Sequence, residues 1–66
     1  MDDRPEHLPF KIEQWDDTGT QVRAVLARAG HHSVAHGAFE AAARLYSSSI
    51  VTLRQGVLVI QISKDD

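Results

Sequence analysis

Thr20-Gln21-Val22-Arg23-Ala24-Val25-Leu26-Ala27-Arg28-Ala29 is the stretch on which the fold turns. Read at a helical period, Val22, Val25, Leu26 and Ala29 form one stripe, and Gly30 follows as a C-terminal cap. Propensity alone favours that helix. Read at a period of two, the same residues pair with residues 10–16 across Asp17-Thr18-Gly19. That is a three-residue loop with glycine where a left-handed conformation is wanted. In this register Phe10 faces Leu26, Ile12 faces Ala24 and Gln14 faces Val22, all on one side. On the other side Glu13 meets Arg23 as an opposite-charge pair, Trp15 meets Gln21 and Lys11 meets Val25. One register that yields both an apolar row and a charge pair favours strand, with helix as the alternative.

The last third, residues 50–63, is dense in β-branched residues around Gly56 and predicts a second hairpin. Its turn is either Gln55-Gly56 or Arg54-Gln55-Gly56. In the two-residue case Val51, Leu53, Leu58, Ile60 and Ile62 point inward, while Thr52, Arg54, Val57 and Val59, with Ile50, point outward. Apolar side chains therefore occupy both parities, so both faces of the hairpin are sticky.

Between these hairpins, Ala35, Ala38, Phe39, Ala42 and Leu45 form one stripe and predict a helix over 33–46. Ser33 is the expected N-cap, and Glu40–Arg44 an i,i+4 pair on the solvent side. The alanines keep the stripe flat enough to lie close on a sheet. Gly37 costs about 1 kcal/mol against alanine unless packing needs it. Ser47-Ser48-Ser49 reads as the loop to the next strand. The expected fold is α+β: a four-stranded antiparallel sheet with one helix packed on one face, in the order ββαββ, with βααββ as the alternative.

Sixty-six residues without cysteine make one small domain that no disulfide or thiolate site supports. We expect residues 1–8 to be a flexible arm, 9–63 the domain and 64–66 a polar tail. Seven bases against nine acids leave a net charge of −2, no footprint for nucleic acid or an anionic membrane. No apolar run reaches the roughly 18 residues of a membrane span, and the first residues are polar and acidic, so a cytoplasmic protein is expected.

The pattern Trp15-Asp16, Gly19, Ala38-Phe39-Glu40-Ala41-Ala42, Thr52-Leu53-Arg54-Gln55-Gly56 and a closing apolar strand resembles that of many short bacterial proteins of unassigned function. The similarity runs from about Phe10 to Ser63. It implies the ββαββ arrangement and brings no activity with it. Where such sequences show a Pro-Gly turn after the helix, this chain has its serine run.

Chemistry is sparse. His32 and His36, with Glu40 four further on, can line one helix face as two imidazoles and a carboxylate, a weak metal-site reading. The better reading is a set of solvated polar residues beside the apolar stripe. Ser47, Ser48, Ser49 and Ser63 have no motif that aligns them with a base, so no enzyme is expected. Asp16 and Asp17 read as turn formers, and the four glycines are too scattered to cradle a phosphate. No cofactor or small-molecule substrate is inferred. Trp15 with Lys11, Arg23 and Arg54 makes a thin platform for single-stranded nucleic acid, where sheet binders carry two or three aromatics.

One helix covers one sheet face. The other carries Trp15, Arg23, Val25, Thr52, Arg54, Val57 and Val59 as candidate partner-binding residues. The expected function is a small non-enzymatic binding or assembly module that meets a protein partner or forms a homodimer, through the open face or an edge strand.

Overall fold

The computed structural model describes residues 8–63. The elements run β1 (Phe10–Trp15), β2 (Val22–Ala29), α1 (His32–Leu45), β3 (Ile50–Gln55) and β4 (Leu58–Ile62). They form one antiparallel sheet in the order β2-β1-β3-β4 with a single helix, so the fold is α+β in the order ββαββ. Residues 20–29 are not helical: propensity yields to the pairing of Val22–Ala29 with β1. β2 and β3 both run antiparallel to β1, and α1 crosses over β1 to connect them, a split βαβ unit. Of the arm and tail expected from the sequence, residues 1–7 and 64–66 lie outside the described residues.

The core is made by alternation. Phe10 and Ile12 of β1, Ala29 of β2, and Val51 and Leu53 of β3 are buried against Ala35, Phe39 and Ala42 of α1. Leu26, Ala27, Ala38 and Ile60 pack around them. Small residues on both contact surfaces let the helix axis approach the sheet. Leu45, the expected end of the stripe, stays exposed as the last helical residue.

Three expectations of detail are corrected. Ser33 does not cap α1: His31 does, its Nδ1 accepting from the Ser33 N–H at 3.1 Å, and the helix spans 32–45 rather than 33–46. Glu40 lies 4.0 Å from His36 one turn back, an i,i+4 pair in place of the expected partner Arg44. Gln14 donates to the Ser49 hydroxyl at 3.0 Å, which ties the serine loop back to β1.

Both hairpins also have registers of their own. The first pairs Phe10 with Ala29, Lys11 with Arg28, Ile12 with Ala27, Glu13 with Val25, Gln14 with Ala24 and Trp15 with Val22. None of the six expected pairs forms, because the loop is longer than three residues and Leu26 and Arg23 are extra residues at two irregularities. The longer loop is built by Asp16. Its carboxylate accepts from the Thr20 N–H and the Thr18 hydroxyl at 3.0 Å each, and its backbone N–H donates to the Gln21 carbonyl at 2.9 Å. Gly19 supplies the positive φ of 72°. In the second hairpin Gln55 pairs with Leu58, so the turn is Gly56-Val57 and neither expected version. Gly56 at φ 60° followed by a residue at negative φ is the sign pattern of a type II′ turn. Beyond the turn, Ile60 is an extra residue at an irregularity between the Arg54–Val59 and Leu53–Gln61 pairs, so Ile62 pairs with Thr52 and shares the outer face, where an inward position was expected.

Two measurements check these local arguments. A Cβ at Gly37 meets nothing within 4 Å, so Gly37→Ala is expected to stabilise the domain by about 1 kcal/mol. In a thermal melt, Tm should rise by roughly 4–8 °C. For Asp16, burial acts to raise the carboxyl. The hydrogen bonds from Thr20, Thr18 and Gln21 outweigh it and hold the group below its ordinary 3.8. The folded state therefore favours the carboxylate, a contribution present above the unfolded value and lost as pH falls through the lowered folded one. The Thr20 amide resonance should titrate below pH 3.8, and Asp16→Ala should abolish that step.

Candidate binding surface on the open sheet face

α1 packs on β1, β2 and β3, and among the described residues no element covers the opposite face of the sheet. Pairing fixes its membership, because directly opposed residues share a face. Trp15 lies between Val22 and Ile50, Glu13 between Val25 and Thr52, and Lys11 between Arg28 and Arg54. Val59 pairs with Arg54, and Ile62 with Thr52, which extends the face onto β4.

A polar cluster occupies its middle. Glu13 is only 3% exposed although no helix lies over it. Arg54 closes on it as a fork, with Nε donating to Oε1 at 2.6 Å and Nη2 to Oε2 at 3.0 Å. Lys11 Nζ stands 3.9 Å from the same carboxylate. The Arg54 guanidinium lies 5.9 Å from the Trp15 ring centroid, and the indole N–H donates to the Thr52 hydroxyl at 2.8 Å. Glu13 and Arg54, and Trp15 and Thr52, therefore satisfy each other in pairs, with Lys11 beside the carboxylate. Around them Val22, Val25, Val59 and Ile62 remain exposed, Val25 at 45%.

Five of the seven residues expected at a partner surface are brought together here: Trp15, Val25, Thr52, Arg54 and Val59. Arg23 and Val57 are not part of that group. Arg23 is the unpaired residue of an irregularity on the β2 edge, and Val57 sits at the hairpin tip, 96% exposed. The Glu13–Arg23 pair expected from the sequence does not form, since Glu13 opposes Val25 and its charge is taken by Arg54. Alternation signalled that Glu13 faces outward. Its partner depended on β1 and β3 being neighbours, which no local pattern encodes.

The remaining candidates make no comparable site. His32 stacks on His36 with ring centroids 6.4 Å apart, and Phe10 meets the His32 ring edge-on at 5.9 Å. His36 Nε2 stands 4.0 Å from Glu40, too long for a hydrogen bond. Among the described residues no group of three or more His, Cys, Asp or Glu is placed to hold a metal ion. The Ser49 hydroxyl accepts from Gln14, and the Ser63 hydroxyl accepts from the Val51 N–H at 3.0 Å, so both serve local structure. Among the described residues no helix is long and apolar enough to cross a membrane.

The fold and surface define a small α+β domain whose second sheet face, with no described element over it, carries exposed aliphatic residues around a polar centre. No family model, curated protein or solved structure matches the chain.

The Glu13–Arg54 fork gives a direct test of how the face is held. Arg54→Ala leaves a buried carboxylate without its main partner and is expected to cost about 3 kcal/mol in urea denaturation. Replacing both residues with leucine should cost less than that single change, because no charge is then stranded. Equal losses in the two proteins would mean that the fork contributes packing alone.

Proposed function

We propose that this chain is a small non-enzymatic binding and assembly module that associates with a second copy or another protein through its uncovered sheet. The observation that carries the reading is the ring of exposed Val22, Val25, Val59 and Ile62 around polar groups that already satisfy one another. Such a surface gains from losing water at its apolar flanks, and the buried Glu13 carboxylate keeps its Arg54 partner when it does so. The chain's acidic, polar composition fits a cytoplasmic setting, and its resemblance to short bacterial proteins of unassigned function supplies no competing activity.

Single-stranded nucleic acid is the weaker reading. Trp15 is the one aromatic on the face, its N–H is engaged by Thr52, and Arg54 is committed to Glu13, which leaves only Lys11 and Arg28 as a small positive excess. A base-stacking platform needs more rings and uncommitted cations. A histidine metal site lacks a third ligand among the described residues.

Sedimentation equilibrium over a range of protein concentrations tests the proposal. The expected result is a reversible, concentration-dependent dimer that Val59→Lys dissociates. A strict monomer throughout the range would overturn self-association.

A further inference from the structure

We infer that self-association runs through β4: two copies pair their β4 strands antiparallel about a two-fold axis and join their sheets into one of eight strands. This inference rests on the self-association proposed above and names the surface that carries it.

Coverage is the first ground. α1 reaches β2, β1 and β3 but not β4. β4 is therefore only partly covered: Ile60 packs at the margin of the core, but Leu58 opposes Gln55 on the helix side and is 61% exposed, while Val59 and Ile62 are exposed on the open side. A partner docked only on the open face leaves Leu58 in water. A strand added at the edge brings side chains beside both rows at once.

The two edges of the sheet also differ. β2 carries Arg23 and Arg28 and two register irregularities, the devices that blunt an edge against further pairing. β4 has one irregularity, at Ile60, but reads Leu58-Val59-Ile60-Gln61-Ile62, with no charge and no proline, so charge is what separates the two edges. Among the described residues no strand lies beside its outer backbone donors and acceptors.

Charge then selects the occupant. A two-fold axis sets a strand against its own reverse, so a charged side chain meets its copy within a few residues. Like charges so placed are destabilising. The same operation on β2 gathers four arginines along one seam, whereas β4 contributes none. Of the two edges, only β4 is compatible with a second copy of itself. Because antiparallel neighbours share faces, both helices then lie on one side, and the two open faces merge into one surface carrying both Trp15 clusters.

Two substitutions separate edge from face. Leu58→Lys charges β4 on the helix side and leaves the open face unchanged. Val25→Lys charges the open face on β2, away from the seam. Both side chains are exposed, so both proteins should fold, which circular dichroism checks. The expected result in sedimentation equilibrium is a dimer whose Kd Leu58→Lys raises by at least about tenfold, with little change for Val25→Lys. Amide exchange of the wild type supplies a second readout: β4 amides should gain protection as concentration rises through Kd. A dimer weakened by Val25→Lys and not by Leu58→Lys, with no gain at β4, would overturn strand pairing while keeping self-association. A monomer at all concentrations overturns both.

Discussion

A helix of 14 residues is about 21 Å long and ~10 Å across, while four strands about 4.8 Å apart span ~14 Å between the outer strand axes. One helix cannot roof that width, and the rest of the molecule follows from where it lies. It sits over β1, β2 and β3, where Ala35, Phe39 and Ala42 meet Ile12, Val51 and Leu53 and seal a core. β4 extends past the roof, and among the described residues the far face has none. In a domain this small the apolar groups left outside are a large fraction of the total. Their position beyond the helix makes association the natural use of the surface.

Glu13 shows how an open face can be kept ordered. A carboxylate buried without a helix above it is costly unless its oxygens are taken. Arg54 takes both, and the Trp15 ring and the Lys11 stem shield what remains. The fork joins β1 to β3, residues 41 apart in sequence, at the centre of the sheet. A one-residue slip between these strands would turn Glu13 or Arg54 toward the core, so the pair also holds the register. Packing of Phe10, Ile12, Val51 and Leu53 on the other side demands the same register. The two faces therefore enforce each other.

Much of this was legible residue by residue. Alternation placed Phe10 and Ile12 inward and Trp15, Val25, Thr52 and Arg54 outward, and helical spacing placed Ala35, Phe39 and Ala42 on the buried stripe. What misled were the connections. Asp16 gathers Thr18 and Thr20 into a loop longer than glycine spacing implies, and the added residues, with Leu26 and Arg23 unpaired, shift every partner in the first hairpin. Gly56 opens the second turn where it was expected to close it, and an extra residue at Ile60 then carries Ile62 to the outer face. Single-residue choices of this kind depend on side-chain hydrogen bonds and φ preferences, and the hydrophobic pattern is blind to them.

By itself, then, the sequence determined the helix after residue 32 and the strands at 10–15 and in the last third, favoured strand over helix for 20–29, and left one sheet face without a helix to cover it. These follow from periodicity, which acts over a few residues. Only the tertiary structure decided that β1 and β3 are neighbours, that Glu13 answers to Arg54 rather than Arg23, and that β4 lies beyond the helix. Those outcomes depend on which distant strands pair, and that is settled by how the whole core closes under a helix too narrow to cover the sheet.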